Sequence, residues 1–433
     1  MNNRQPIPAF LGIAAALVLA IICGSTTTLH AGVASFQGLG DLPGGESFSE
    51  AFGISGDGQV VVGWSHSTSD HQAREAFRWT ATEGMVGLNN PGADPAVYSR
   101  AIAASHDGSV IVGRRDLAFL WTADGGMVFL DDLTPGDLNA FRANGVSADG
   151  SVIVGNALGD TPMEAYRWTA QSGAVGLGFL AEAKVMPDSS AAAVSADGLI
   201  VTGQGLSGPP DVEAFRWTLK TSMVGLGGLT KLPLGFFYAL GFGISADGST
   251  IVGQARTVEF EEAFRWTAET GLESLDPLHG TTFFSTARDA SADGSIIVGL
   301  GEGFRAMIWD EVHGMRDLQD LLENEHGLDL SGWTLQIVFG ISDDGTHLAG
   351  NGINPKGDRE AWLATLPRTD IPGQCDADVN GDGVTNVLDL IDLLLCFGLP
   401  ATPGCEAEDV NEDGTVNVLD LIDLLLVFGA TCP

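Results

Sequence analysis

The sequence predicts a mainly β chain, a seven-bladed β-propeller of about four strands per blade followed by a small α-helical domain of two loop-helix segments. Three observations carry this expectation. A phrase built on Asp-Gly recurs seven times, glycine occupies 59 of 433 positions, and the last 59 residues hold two close copies of one segment. So much glycine marks many turns and argues against a helix-rich architecture. A hydrophobic content of 44% supplies a core, so the acidity does not signal disorder. That acidity, 56 Asp and Glu against 20 Lys and Arg for a net charge of −36, repels phosphate backbones and anionic membranes. Nucleic-acid binding is excluded.

Residues 1–34 read as a secretory signal peptide. Arg4 precedes an apolar run from Ala9 to Cys23, and small residues follow, with cleavage expected after Ala31 or Ala34. An uncleaved anchor is the alternative, but about 15 apolar residues fall short of the ~20 that span a bilayer. Bulky Ile22 before Cys23 argues against lipid attachment. No other apolar run is long enough to span, so the mature chain is expected to be secreted or at the cell surface without a transmembrane segment.

Residues 35–367 carry the repeat. Ile54-Ser-Gly-Asp57-Gly-Gln-Val-Val-Val-Gly63 returns around Asp107, Asp149, Asp197, Asp247, Asp293 and Asp344, at spacings of 50, 42, 48, 50, 46 and 51 residues. These periods fit propeller blades and exceed those of parallel β-helices. A second phrase follows, as in Glu75-Ala-Phe-Arg-Trp79-Thr and Glu262-Ala-Phe-Arg-Trp266-Thr, with weaker copies at Trp121 and Trp309. A third, such as Gly84-Met-Val-Gly-Leu88, closes the unit. Each phrase reads as a short strand punctuated by turn residues, and the strand before Asp-Gly brings the total to four. The seventh unit ends at Glu360-Ala-Trp-Leu-Ala-Thr-Leu366 without its last strand. Phe36-Gln-Gly-Leu-Gly-Asp-Leu42 looks like that strand, and its pairing there would close the ring and remove exposed edges.

The repeated Asp residues read as turn formers, because a catalytic set is not sevenfold symmetric. The repeated Trp residues read as packing between blades, and the neighbouring Arg as a partner for the blade's Glu. The eight His are scattered, His66 and His71 forming only a weak pair. No nucleophile elbow or phosphate loop appears, and no catalytic residue is assigned. The phrases resemble the HAF repeat family, whose name reflects a core like Glu-Ala-Phe here; the resemblance covers roughly residues 36–367 and implies an extracellular location.

Residues 368–374 read as a linker and 375–433 as a calcium-binding domain. Segments 378–398 and 409–429 are identical at 17 of 21 positions, each opening with Asp-x-Asn-x-Asp-Gly-x-x-Asn-x-x-Asp. Calcium takes six to eight hard oxygen ligands, and a loop of this spacing converges positions 1, 3, 5, 7, 9 and 12 around a turn made by Gly at 6. The first site is expected from Asp378, Asn380, Asp382, the Val384 carbonyl, Asn386 and Asp389, with Gly383 at the turn. The second uses Asp409, Asn411, Asp413, the Thr415 carbonyl, Asn417 and Asp420, with Gly414. Two Ca2+ ions are expected, their binding coupled to ordering of 375–433. The helices after the loops, 387–397 and 418–428, are apolar beyond one face, so they bury each other, with or without an additional partner surface.

Paired loop-helix segments of this kind resemble a type I dockerin, over residues 375–433. The resemblance implies attachment to a cohesin-like or other extracellular protein, with loop positions 10 and 11, here Val387-Leu388 and Val418-Leu419, contributing to recognition. Leu395-Cys396 and Leu426-Val427 stand where that family often has a basic pair. Cys375, Cys396, Cys405 and Cys432 form an even set in an exported chain and read as two disulfides with three open connectivities. The close termini of dockerins favour Cys375 with Cys432 and Cys396 with Cys405.

The sequence thus describes a non-catalytic binding or display protein. Its propeller is expected to recognise a carbohydrate or protein ligand while its calcium-loaded module mediates attachment. The alternatives are an extracellular enzyme on polysaccharide or glycoconjugate, and a structural envelope component.

Overall fold

The computed structural model describes residues 34–67, 74–88, 98–133, 138–157, 163–181, 187–208, 211–229, 238–258, 260–275 and 284–367. Beyond these it describes Leu390, Leu393, Leu394, Cys396, Phe397, Val416, Asn417 and Leu421. Each repeat forms a four-stranded antiparallel sheet. In blade 1 the strands are Ser49–Ile54, Val61–His66, Arg74–Thr80 and Gly84–Gly87, hydrogen-bonded in chain order. Five further sheets repeat this order over 99–129, 140–176, 189–225, 239–274 and 286–317. The second strand of each is β-branched and buried on both faces, as in Val61–Ser65, because blades stack on either side of it.

Blade 7 is closed by the other end of the chain. Ser35–Gly38 pairs antiparallel with Arg359–Thr365, in the register Ser35 with Thr365 and Gly38 with Trp362. The strand is shorter than the 36–42 segment read from sequence, because beyond Gly38 the backbone contributes one further bond, from Leu39 N–H to the Ala361 carbonyl at 2.9 Å. Phe36 packs edge-on to Trp333 at 5.1 Å and near Trp362, which is fully buried. Asn351 staples blade 7 to blade 1, its amide accepting from Ala51 N–H at 2.7 Å and donating to the Ala51 carbonyl at 3.0 Å.

The seven Asp residues are turn residues. Asp57 accepts from Ser55 Oγ and from Gln59 N–H, while Ser55 Oγ accepts from Val60 N–H, with Gly58 at φ 73° between them. The same Ser-x-Asp-Gly unit stands in all seven blades, every serine buried. Serine and aspartate here satisfy backbone groups that a tight hairpin leaves unpaired. Adjacent turns are joined by backbone hydrogen bonds from Asp57 to His106, His106 to Ala148, Ala148 to Ala196 and Ala196 to Ala246. The circle continues from Asp247 to Ala292, Ala292 to Asp343 and Asp343 to Gly56, at 2.8–3.1 Å throughout. It closes on itself.

Each hydrophobic cluster of the ring is shared between neighbouring blades, as where Val152, Val154 and Ala165 meet Phe215 and Trp217. Trp79, Trp168, Trp217 and Trp309 are buried there, and Trp121 and Trp266 partly so. In blades 3 to 5 the Glu of the second phrase has partners other than its Arg, Glu262 accepting from Ser274 Oγ. Glu164 and Glu213 instead accept the N–H of Gly178 and Gly227, pinning the chain as it leaves the blade, while Arg78 turns to Glu83. Between blades 6 and 7 a short helical segment, Leu318–Asp320 continued by Leu321–Glu325, adds Leu318, Leu321 and Leu322 to the cluster around Trp362. Among the described residues no helix is long and apolar enough to cross a membrane.

Candidate functional site

The innermost strands of all seven blades line one central cavity of about 430 Å³. Each of these strands carries a bulge, at Ala51/Gly53, Ala101/Ala103, Ala143/Gly145, Ala191/Ala193, Gly241/Gly243, Ala287/Asp289 and Val338/Gly340. A bulge leaves one residue unpaired and re-aims its side chain. The residues so placed, Phe52, Ile102, Asn144, Ala192, Phe242, Arg288 and Phe339, all line the cavity. Their backbone positions repeat and their chemistry does not.

Arg288 is the outlier of this row. Its guanidinium carbon lies 4.6 Å from the ring centre of Phe242 on one neighbouring blade and 5.2 Å from that of Phe339 on the other. Its Nε is buried without a hydrogen-bond partner among the described residues, and burial lowers its pKa. Asp289 does not neutralise it. That carboxylate accepts from Ile341 N–H at 3.1 Å and Ala290 N–H at 3.0 Å, and burial pushes it up to about 7, with Asp343 adding to the rise.

A second group of cations stands on blades 1 to 3. Arg142 lines the cavity, its Nε buried and without a hydrogen-bond partner among the described residues, and the hydroxyl of Tyr166 donates to its carbonyl at 2.9 Å. Phe141 lies 4.1 Å from the Arg114 guanidinium and 5.3 Å from that of Arg142. The pKa of Arg100 is lowered by burial and then by Arg142, Arg114 and Arg74. Glu50, the smallest of these influences, raises it; that carboxylate lies 2.5 Å from Arg359 Nε and accepts from Trp64 Nε1 at 2.9 Å.

Six of the seven residues between Ser and Asp of the turns, all but Ala292, line one end of the cavity. Four of the seven are Ala148, Ala196, Ala246 and Ala292; the other three, on successive blades, are Asp343, Gly56 and His106. His106 Nδ1 and Asp343 Oδ2 meet at 2.7 Å, both partly exposed. Gly56 lies beneath them, where a Cβ would overlap both side chains. A larger residue there would require one or both of these side chains to shift.

Of the expected calcium ligands, Asp378, Asn380, Asp382, Val384, Asn386, Asp389, Asp409, Asn411, Asp413, Thr415 and Asp420 lie outside the described residues. Asn417 is described, and its carbonyl accepts Leu421 N–H at 3.4 Å. Leu393 and Cys396 from the first copy share a buried cluster with Val416 from the second, while Leu394 and Phe397 are exposed. Cys396 is disulfide-bonded, and every other cysteine lies outside the described residues. Among the described residues no three His, Cys, Asp or Glu gather around a common point. The expected signal peptide, 1–34, apart from Ala34, and the expected linker, 368–374, also lie outside them.

The cavity residues Arg142, Arg288, Asp289, His106 and Asp343 are not distinguished by any motif. Their signal is columnar: aligning the seven repeats shows positions where small or neutral residues give way to a charge in one to three blades.

Fold and site together define a seven-bladed β-propeller with a charged, asymmetric central cavity. No family model and no curated protein matches the sequence. Solved structures similar in fold include TolB from Acinetobacter baumannii, at 12% identity and TM-score 0.41. That likeness covers 72% of this chain and 65% of TolB, less than two thirds of its length. Oligogalacturonate lyase from Vibrio parahaemolyticus is similar at 10% identity and TM-score 0.47, over 78% of this chain and 98% of that one. A further oligogalacturonate lyase, in complex with manganese, shares 12% identity and TM-score 0.47, over 78% and 97%.

Proposed function

We propose that this is an exported binding protein whose propeller holds a small ligand in its central cavity and whose C-terminal module, loaded with two Ca2+ ions, attaches it to another extracellular protein. The observation that carries the cavity reading is that two arginines lining one space, Arg142 and Arg288, each hold a buried Nε without a hydrogen-bond partner among the described residues. A buried cation without a counterion is costly to the fold alone, and binding of a ligand is the compensation that accounts for it. The cavity volume falls within the usual range for small-molecule sites.

Retention of small molecules from culture medium tests this reading. The full chain and its Ala192→Trp variant, which fills the cavity from blade 4, are incubated, filtered and extracted. A compound held by the wild type and released by the variant supports the cavity; identical retention by both places binding elsewhere.

The attachment reading is supported by the two twelve-residue loops with every ligand position filled. Titration of the full chain with Ca2+ is expected to reach two ions per chain, reduced to one by Asp382→Ala. A stoichiometry of zero contradicts it. The resemblance to dockerins makes the partner a cohesin-like protein, and the HAF-like phrases agree with an extracellular setting.

An enzymatic reading is favoured by one feature, the His106–Asp343 pair at one end of the cavity, which has the composition of an oriented general base. Turnover of polysaccharide lost in His106→Ala would establish it. Absence of turnover with cavity binding intact would dismiss it.

A further inference from the structure

We infer that the ligand of the central cavity is a small organic carboxylate with an apolar body, its carboxylate bound by the in-plane N–H edge of Arg288 and its body lying along Phe52, Phe242 and Phe339. The inference rests on the cavity-binding reading above and adds the ligand's chemical class.

Aromatic rings stand against the two faces of the Arg288 guanidinium. Phe242 and Phe339 flank it, 4.6 and 5.2 Å from its central carbon, and Phe52 continues the aromatic wall at 5.3 Å from Phe339, ring centre to ring centre. Aromatic rings attract the faces of a guanidinium but cannot accept its in-plane donors. The Nε–H is buried with no acceptor among the described residues, and the adjacent Asp289 carboxylate is bound to the backbone of Ala290 and Ile341. The arrangement supplies stacking and withholds an anion. A planar carboxylate matches the remaining fork of donors.

The rest of the wall selects the body. Phe52, Phe242 and Phe339 with Ile102 form an apolar surface over four blades, and Ala192 on blade 4 leaves room opposite. A strongly hydrated polyanion would lose its water against these rings without replacing it. Arg142, on the far side of the ring, adds attraction for a negative charge in a chain of net charge −36.

Calorimetric titration of the full chain with 3-phenylpropionate, and with 3-phenylpropan-1-ol as its neutral counterpart, tests the inference. The acid is expected to bind more tightly than the alcohol by about 10- to 100-fold, the contribution of hydrogen bonds to a charged group. Arg288→Gln should abolish that difference, and Ala192→Trp should block both probes. Equal binding of acid and alcohol, both blocked by Ala192→Trp, overturns the carboxylate assignment and leaves the cavity reading standing. Failure of both probes to bind overturns the proposed ligand class, and the retention experiment then judges the cavity independently.

Arg288→Met adds a measurement that needs no ligand. Replacing an uncompensated buried charge by an apolar chain is expected to raise the melting temperature of the unliganded protein. A lower melting temperature with acid binding unchanged would make Arg288 a structural strut and overturn the proposal.

Discussion

The turns and the cavity wall of this propeller are built from adjoining residues of the same inner strands, yet they obey opposite rules. At the turns, Ser, Asp and Gly recur in every blade, and the backbone bonds from Asp57 through Asp343 form a closed circle. A few residues earlier, the bulged positions hold Phe, Ile, Asn, Ala and Arg in one ring. The difference separates what the fold requires from what it merely permits. A tight hairpin needs donors and acceptors at fixed places in each copy, whereas a residue facing an open channel meets no such demand. Chemistry is therefore to be sought where the repeat fails, at Arg288, Asp289 and Arg142 and in the His106–Gly56–Asp343 triplet.

The comparison breaks first at the closure, where the framework is most concentrated. Trp362→Ala, at a fully buried residue facing Gly38 of the closing strand, is expected to cost about 3–5 kcal/mol in denaturant unfolding. A cost below about 1 kcal/mol would show that the ring does not depend on this clasp.

Asp289 is a wall residue with a framework role, and pH exposes it. Its pKa rises from 3.8 to about 7, so its protonated form stabilises the fold fully below 3.8, and that contribution is lost as pH rises through about 7. Relative to Asp289→Asn, the wild type should lose on the order of 4 kcal/mol across that window. Parallel stability curves for the two proteins would contradict the assignment.

Ser195→Ala leaves the Ile200 N–H without its side-chain acceptor and Asp197 without its hydroxyl donor, and should cost about 2 kcal/mol. Ala192→Ser, three residues away in the wall, should change stability by less than about 0.5 kcal/mol. Equal effects would erase the distinction between turn and wall. Gly56→Ala should displace the ends of His106 and Asp343 at a cost below about 1 kcal/mol, and that cost should shrink in a His106→Ala background. Additive losses in that double-mutant cycle would mean that Gly56 answers to another neighbour.

The legible part of the molecule is the part that repeats. The period around Asp57 to Asp344 indicated seven blades, and the missing last strand after Thr365 pointed to the N-terminal segment that fills it. The buried serine of the turn was visible in each copy, but its importance is structural, since its hydroxyl completes the hairpin from within. The cavity was not legible. A bulge shifts register by one residue, so the alternation of apolar and polar residues does not tell which side chain enters the channel. The Arg288 environment is assembled from blades 5, 6 and 7, and the His106–Asp343 pair spans 237 residues.

The central claim, that function resides in the asymmetric wall, is most directly tested by a crystal structure of the full chain with 3-phenylpropionate. The account predicts the carboxylate within hydrogen-bonding distance of Arg288 Nε and the phenyl ring against Phe52, Phe242 or Phe339. A ligand bound outside the ring, or within it with its carboxylate turned away from Arg288, would contradict that claim.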